Sequence, residues 1–224
     1  MERKSKNILL MIGRDSFEKD RHLMELLNDS LRGGDYEIVS YNPPPKNTSY
    51  ILDPEKKLAK LSAWLRKPLK AISLLRYPSR WKYYLYLVWP ERELTIPERC
   101  DELREYVKVL GGGENVIILS RSSGGRVASL VADELGIKKL ICLGYPFRHP
   151  EKNVEPERYL HLANLKTPFL IIQGTRDLYG GIESKDGYVL SSSVSLVYVD
   201  TDHDFNVERS EWERVMSKVK SFLA

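Results

Sequence analysis

Cysteine is nearly missing from this chain, with two residues, Cys100 and Cys142, among 224. Neither stands in a CxxC or Cys/His metal spacing, which excludes a disulfide scaffold and a zinc module and fits a reducing compartment. Histidine is scarce too, with four residues, His22, His149, His161 and His203. Long apolar runs are lacking: nothing approaches the roughly 18 residues of a membrane span. The early run at 8–12 is too short for the core of a signal peptide. No GxGxxG and no phosphate loop ending in Lys-Ser/Thr occurs, so a nucleotide cradle has no support. There is no repeat of fixed period and no low-complexity tract. The expectation from these absences is a soluble, cytoplasmic protein that uses no metal and no cofactor.

What is present is an ordinary globular composition, 42% hydrophobic and 29% charged, which excludes wholesale disorder. The length is about one and a half typical domains, a prior for one large α/β domain over 1–224. The net charge of +4 hides an asymmetry. Residues 56–90 hold nine basic side chains and no acidic one, so the remainder of the chain sums to −5. Seven aromatics are interleaved in the same stretch: Trp64, Tyr77, Trp81, Tyr83, Tyr84, Tyr86 and Trp89. The segment 43–96 therefore reads as a basic, aromatic, helical insertion. Three roles are open to it: a lid, a face docking an anionic group, or a packed appendage with a solvated basic side. A uniformly basic nucleic-acid binder is excluded.

Outside the insertion, apolar runs alternate with helix-spaced apolar residues. Strands are predicted at 8–12, 37–41, 116–119, 139–143, 168–172 and 194–199. Helices are predicted around Leu23–Leu31, Cys100–Leu110, Val127–Leu135 and Trp212–Phe222, the last with a capping box of Ser210 and Glu213. This alternation predicts a parallel sheet covered on both faces, with chemistry at the carboxyl ends of its strands.

Three sites follow predicted strands. Ser120-Arg121-Ser122-Ser123-Gly124-Gly125 joins a strand to a helix, the setting of a nucleophile elbow with small residues two before and two after Ser122. The Ser123 amide would then sit at a helix N-terminus, suited to a developing oxyanion. A plain Gly-rich connection is the competing reading. Gln173-Gly174-Thr175-Arg176-Asp177 supplies an acid, although a lone Asp after a strand also serves as a cap. Asp200-Thr201-Asp202-His203-Asp204-Phe205 supplies an imidazole, although the same run suits a solvated turn or a weak metal set. The chain order Ser122, Asp177, His203 is nucleophile, acid, base.

Together with Leu143-Gly144-Tyr145-Pro146-Phe147 and Arg126-Val127-Ala128-Ser129, these motifs resemble the α/β-hydrolases. They are most similar to compact bacterial hydrolases of the dienelactone-hydrolase-like group and to the hydrolase-like domain of a chromatin-associated acetyltransferase complex subunit. The resemblance runs from about 114 to 223, is slight before 43 and is absent from 43 to 96. It implies a three-layer α/β-hydrolase fold with a mainly parallel six-stranded sheet and a helical insertion after the second core strand. It implies Ser122 as nucleophile, Asp177 as acid and His203 as base. The family's usual His-Gly pair after the first core strand is replaced by Ile12-Gly13-Arg14-Asp15, so the second oxyanion donor would be the backbone amide of Gly13 or Arg14. The expected activity is hydrolysis of a small carboxylic ester or thioester through an acyl-enzyme. The alternative is a silent hydrolase-fold module that docks an anionic partner through its basic insertion; a lyase or isomerase on the same triad is a third option.

Overall fold

The structure is a computed structural model that describes residues 6–14, 20–41, 94–182 and 187–224. The chain divides into two compact units, Met1–Tyr41 with Ile96–Ala224, and Asn42–Thr95. The insertion expected at 43–96 lies almost wholly outside the described residues.

Six strands form one sheet: β1 (Asn7–Ile12), β2 (Tyr36–Tyr41), β3 (Val116–Arg121), β4 (Lys139–Leu143), β5 (Phe169–Gly174) and β6 (Val194–Val199). Their order is β2-β1-β3-β4-β5-β6. Every pairing is parallel. The predicted strands are thus all present, and the sheet goes beyond mainly parallel to wholly parallel. The reason is visible in the side chains. β3 and β5 are buried at every position, as Val-, Ile- and Leu-rich runs must be when helices cover both faces.

Strand alternation divides the core into two layers. Leu10, Ile118, Cys142 and Ile171 face the helices α2 (Ile96–Val109) and α3 (Ser123–Leu135), meeting Leu103, Val107 and Val131. Leu9, Leu119, Leu143 and Ile172 face α1 (Arg21–Leu31) and α4 (Arg209–Leu223), meeting Leu27, Val215 and Val219. Leu27 is fully buried. Its truncation to Ala would cost about 2–5 kcal/mol, because the lost contacts leave a cavity. This is the three-layer arrangement of the α/β-hydrolase fold.

Helix ends follow the sequence signals in part. Gly136 closes α3 in a left-handed conformation (φ 62°), where a side chain would be strained. The Ile137 amide reaches back to the Ala132 carbonyl at 3.0 Å. The capping box expected at Ser210 is not formed. The first bond of α4 already runs from the Trp212 amide to the Glu208 carbonyl, so Ser210 lies within the first turn. Glu213 instead takes a hydrogen bond from Arg209.

Strand order reverses between β1 and β3. The crevice beyond their carboxyl ends is the place where this class of sheet binds ligands, because the connections leave there in opposite directions. The register pairs Ile12 with Ser120, which brings Gly13 level with the end of β3. Among the described residues no helix is long and apolar enough to cross a membrane.

Candidate active site

Ser122 sits between β3 and α3 with φ 50° and ψ −125°. Positive φ in a residue with a Cβ is unfavourable, and such strain collects where a side chain must be thrust forward. The turn closes because its neighbours are small. A Cβ on Gly124 would meet the Gly13 carbonyl, and one on Gly125 would meet Cys142 Sγ. Ser120, in the place where such elbows usually carry glycine, is accommodated because its hydroxyl donates to the Ile141 carbonyl at 2.7 Å. The elbow is tied by the Ser122 amide to the Leu143 carbonyl (3.2 Å) and by the Gly125 amide to the Ser122 carbonyl (2.8 Å).

His203 Nε2 lies 2.9 Å from Ser122 Oγ. On the other side of the ring, Nδ1 lies 2.8 and 3.0 Å from the two oxygens of Asp177. Asp177 can only accept when ionised, so Nδ1 carries the proton and donates. Nε2 is then the acceptor for the Ser122 hydroxyl. Asp177 is itself held: Gln173 Nε2 donates to Oδ2 at 2.7 Å and the Tyr179 amide donates to Oδ1 at 2.8 Å. Gln173 is oriented in turn, since its Oε1 accepts the Tyr145 amide at 2.8 Å. The Tyr179 ring lies against the imidazole, with centroids 4.3 Å apart.

The three residues that the sequence placed after separate strands therefore converge on one hydrogen-bonded line. The backbone candidates divide. Ser123 opens α3. The Arg14 amide donates to Asp20 Oδ2 at 2.8 Å, so that donor is already engaged. Gly13 remains from the pair proposed for the β1 loop.

Gln173, Tyr179 and Arg121 were not foreseen as site residues. Gln173, near the end of β5, and Tyr179, in the loop that follows, flank the acid, yet nothing in their spacing marks them. Arg121 did carry a signal: a lone cation at the end of a strand whose first four residues are apolar. It is fully buried. Burial, with the nearby Arg14 charge, pulls its pKa below the ordinary value, against the opposing pull of Asp20. Below the elbow, burial pushes the Cys142 thiol up to about 12. Among the described residues no cluster of His, Cys, Asp and Glu has the arrangement to hold a metal ion.

Solved structures share this architecture at low identity. An alpha-beta serine hydrolase homologue from Coxiella burnetii is 15% identical with a TM-score of 0.61, covering 100% of this chain and 88% of its own. A hydrolase from Pseudomonas aeruginosa is 14% identical with a TM-score of 0.60, over 99% of this chain and 91% of its own. The esterase domain of a Rhodothermus marinus protein is 11% identical with a TM-score of 0.56, over 99% and 88%. At such identities the likeness is one of fold. No curated protein matches the chain. The alpha/beta hydrolase domain family matches residues 90–223, more than half the length, and on that match the chain belongs to this family.

Proposed function

We propose that the protein is a serine hydrolase that cleaves a small carboxylic ester or thioester through an acyl-enzyme. The reading rests on one observation, the relay from Ser122 Oγ to His203 Nε2 (2.9 Å) and from His203 Nδ1 to Asp177 (2.8 Å). Ser122 Oγ attacks the substrate carbonyl carbon while Nε2 takes its proton. The carbonyl oxygen becomes an oxyanion, which the amides of Ser123 and Gly13 stabilise. Asp177 holds the Nδ1–H tautomer and balances the imidazolium. The tetrahedral carbon then expels the alkoxide or thiolate, which leaves with the proton from Nε2. Water, deprotonated by the same nitrogen, attacks the acyl-serine; the carboxylic acid departs and Ser122 regains its proton.

A fluorophosphonate probe tests the proposal. The wild-type protein is expected to be labelled at Ser122, and Ser122→Ala is expected to remain unlabelled. Hydrolysis of short acyl nitrophenyl esters is expected to disappear in the same variant. Folded wild-type protein that neither labels nor turns over such esters would refute the reading.

A further inference from the structure

Arg121 is an expensive residue in an expensive place. Its side chain is fully buried at the end of the central strand, one residue before Ser122. Nη1 donates to the Leu143 carbonyl at 3.1 Å. Nη2 donates to the carbonyl of His203. Among the described residues Nε has no hydrogen-bond partner, and it stands 3.9 Å from Asp20 Oδ1, an ion pair longer than a hydrogen bond. The guanidinium lies over the Phe205 ring, 5.4 Å from its centroid.

A second arginine extends the arrangement. Arg14 Nε donates to Asp20 Oδ1 and its Nη2 to Asp204 Oδ1, both at 2.8 Å. Asp204 Oδ1 is also 3.6 Å from Arg121 Nη2. Charges therefore alternate through Arg121, Asp20, Arg14 and Asp204. Three successive residues of the base loop are gripped: His203 by its carbonyl, Asp204 by its carboxylate and Phe205 by its ring. Phe205 has φ 56°, a conformation that a residue with a Cβ holds only when its surroundings impose it. Packing alone does not call for this chemistry, since a buried ion pair can often be replaced by apolar residues with no loss of stability.

We propose that Arg121 is a positioning residue, which fixes the base loop so that the His203 imidazole stands between Ser122 and Asp177, and that Arg14 joins this loop to the Gly13 turn. The base and the β1-loop oxyanion donor thus share one charged lattice. The inference deepens the serine hydrolase reading and rests on it for its kinetic consequence, but the placement of the imidazole has a readout of its own.

The test compares wild type with Arg121→Met, Arg121→Lys and Asp204→Asn by fluorophosphonate labelling rate, thermal unfolding and the low-field proton resonance of His203 Nδ1–H. Arg121→Met is expected to lose that resonance and to label about 100-fold more slowly, the lower end of what a general base contributes. Arg121→Lys, which keeps a charge but not the fork, is expected to recover part of the rate. Asp204→Asn changes an exposed carboxylate and is expected to slow labelling about five-fold at an unchanged melting temperature, as a charge-assisted bond becomes a neutral one. Folded Arg121→Met with the wild-type resonance and rate would overturn the proposal. If Arg121→Met does not fold, wild-type rates in both other variants would overturn it. Wild type that never labels, yet shows a resonance that Arg121→Met, or Arg121→Lys and Asp204→Asn, abolish, would refute the hydrolase reading and leave the positioning role standing. Absence of the resonance from folded wild type would overturn the positioning role, and the hydrolase reading would fall with it only if labelling were absent too.

Discussion

Gly174, the last residue of β5, is where a single methyl group should separate catalysis from stability. A Cβ built there would lie 2.5 Å from the Thr201 carbonyl oxygen and 2.8 Å from that of Asp202. Ordinary contact begins at 3.4 Å, so the base loop must retreat by about 1 Å just before His203. That movement is comparable with the tolerance of the Ser122–His203 hydrogen bond, which stands at 2.9 Å. A misplacement of about 1 Å costs on the order of 100-fold in rate. The stability cost is smaller. Overpacking costs about 1–3 kcal/mol, while Gly→Ala returns about 0.4–1 kcal/mol by restricting the unfolded chain. A chain of this size should then melt a few degrees lower, at about 2–4 °C per kcal/mol. Gly174→Ala is expected to remain folded at 25 °C and to label with fluorophosphonate on the order of 100-fold more slowly. Gly187→Ala, with nothing among the described residues within 4 Å of its built Cβ, is the control and should match wild type. A Gly174→Ala protein with the wild-type labelling rate would refute the claim that this contact sets the position of His203.

Asp177→Asn would turn an amide NH2 toward the Tyr179 amide or toward Gln173, and would favour the wrong imidazole tautomer. A fall in kcat of about 1,000- to 10,000-fold with little change in KM is expected, and a loss under ten-fold would contradict the role given to Asp177. Cys142 is buried with its thiol pushed up to about 12 by that burial, and Cys100 is buried as well. Thiol reagents should therefore leave the native protein unmodified and react with both cysteines only on unfolding; fast native modification would contradict this. Burial, helped by the Arg126 charge, holds His161 down at about 4 against an ordinary 6.5. The unfolded chain binds that proton first, so the stability contributed by neutral His161 is full above pH 6.5, falls as pH drops towards 4 and levels below. Because the ring is partly exposed, about 1–2 kcal/mol is at stake rather than the whole shift. The urea midpoint of His161→Gln should lack this part of the acid slope, and an unchanged slope would argue against it.

The inner strands β1, β3, β4 and β5 were legible because a strand covered on both faces is a nearly continuous apolar run, and the half-buried edge strands β2 and β6, interrupted by Glu37, Ser40 and Ser195, still stand out as short apolar segments between the helices. Ser122, Asp177 and His203 could be singled out because each follows one of those runs. The helix start at Ser210 was misjudged because a capping box is a local pattern, and the observed start two residues earlier depends on how the chain leaves Phe205. The basic, aromatic segment at 43–96 was conspicuous by composition, and its structure lies outside the described residues.

By itself, the sequence determined the layer architecture, since hydrophobic periodicity specifies which faces are buried. It also named the residues available for chemistry at the strand ends. Only the tertiary structure decided which backbone donors and side chains serve together. The Arg14 amide is drawn to Asp20, Gln173 and Tyr179 close on Asp177, and Arg121 reaches the carbonyl of a residue 82 positions away. The last of these joins the ends of two different strands; the others are local in sequence but are made at strand ends that the sheet holds in place. Their formation depends on strand order and register, which no local pattern of residue types encodes.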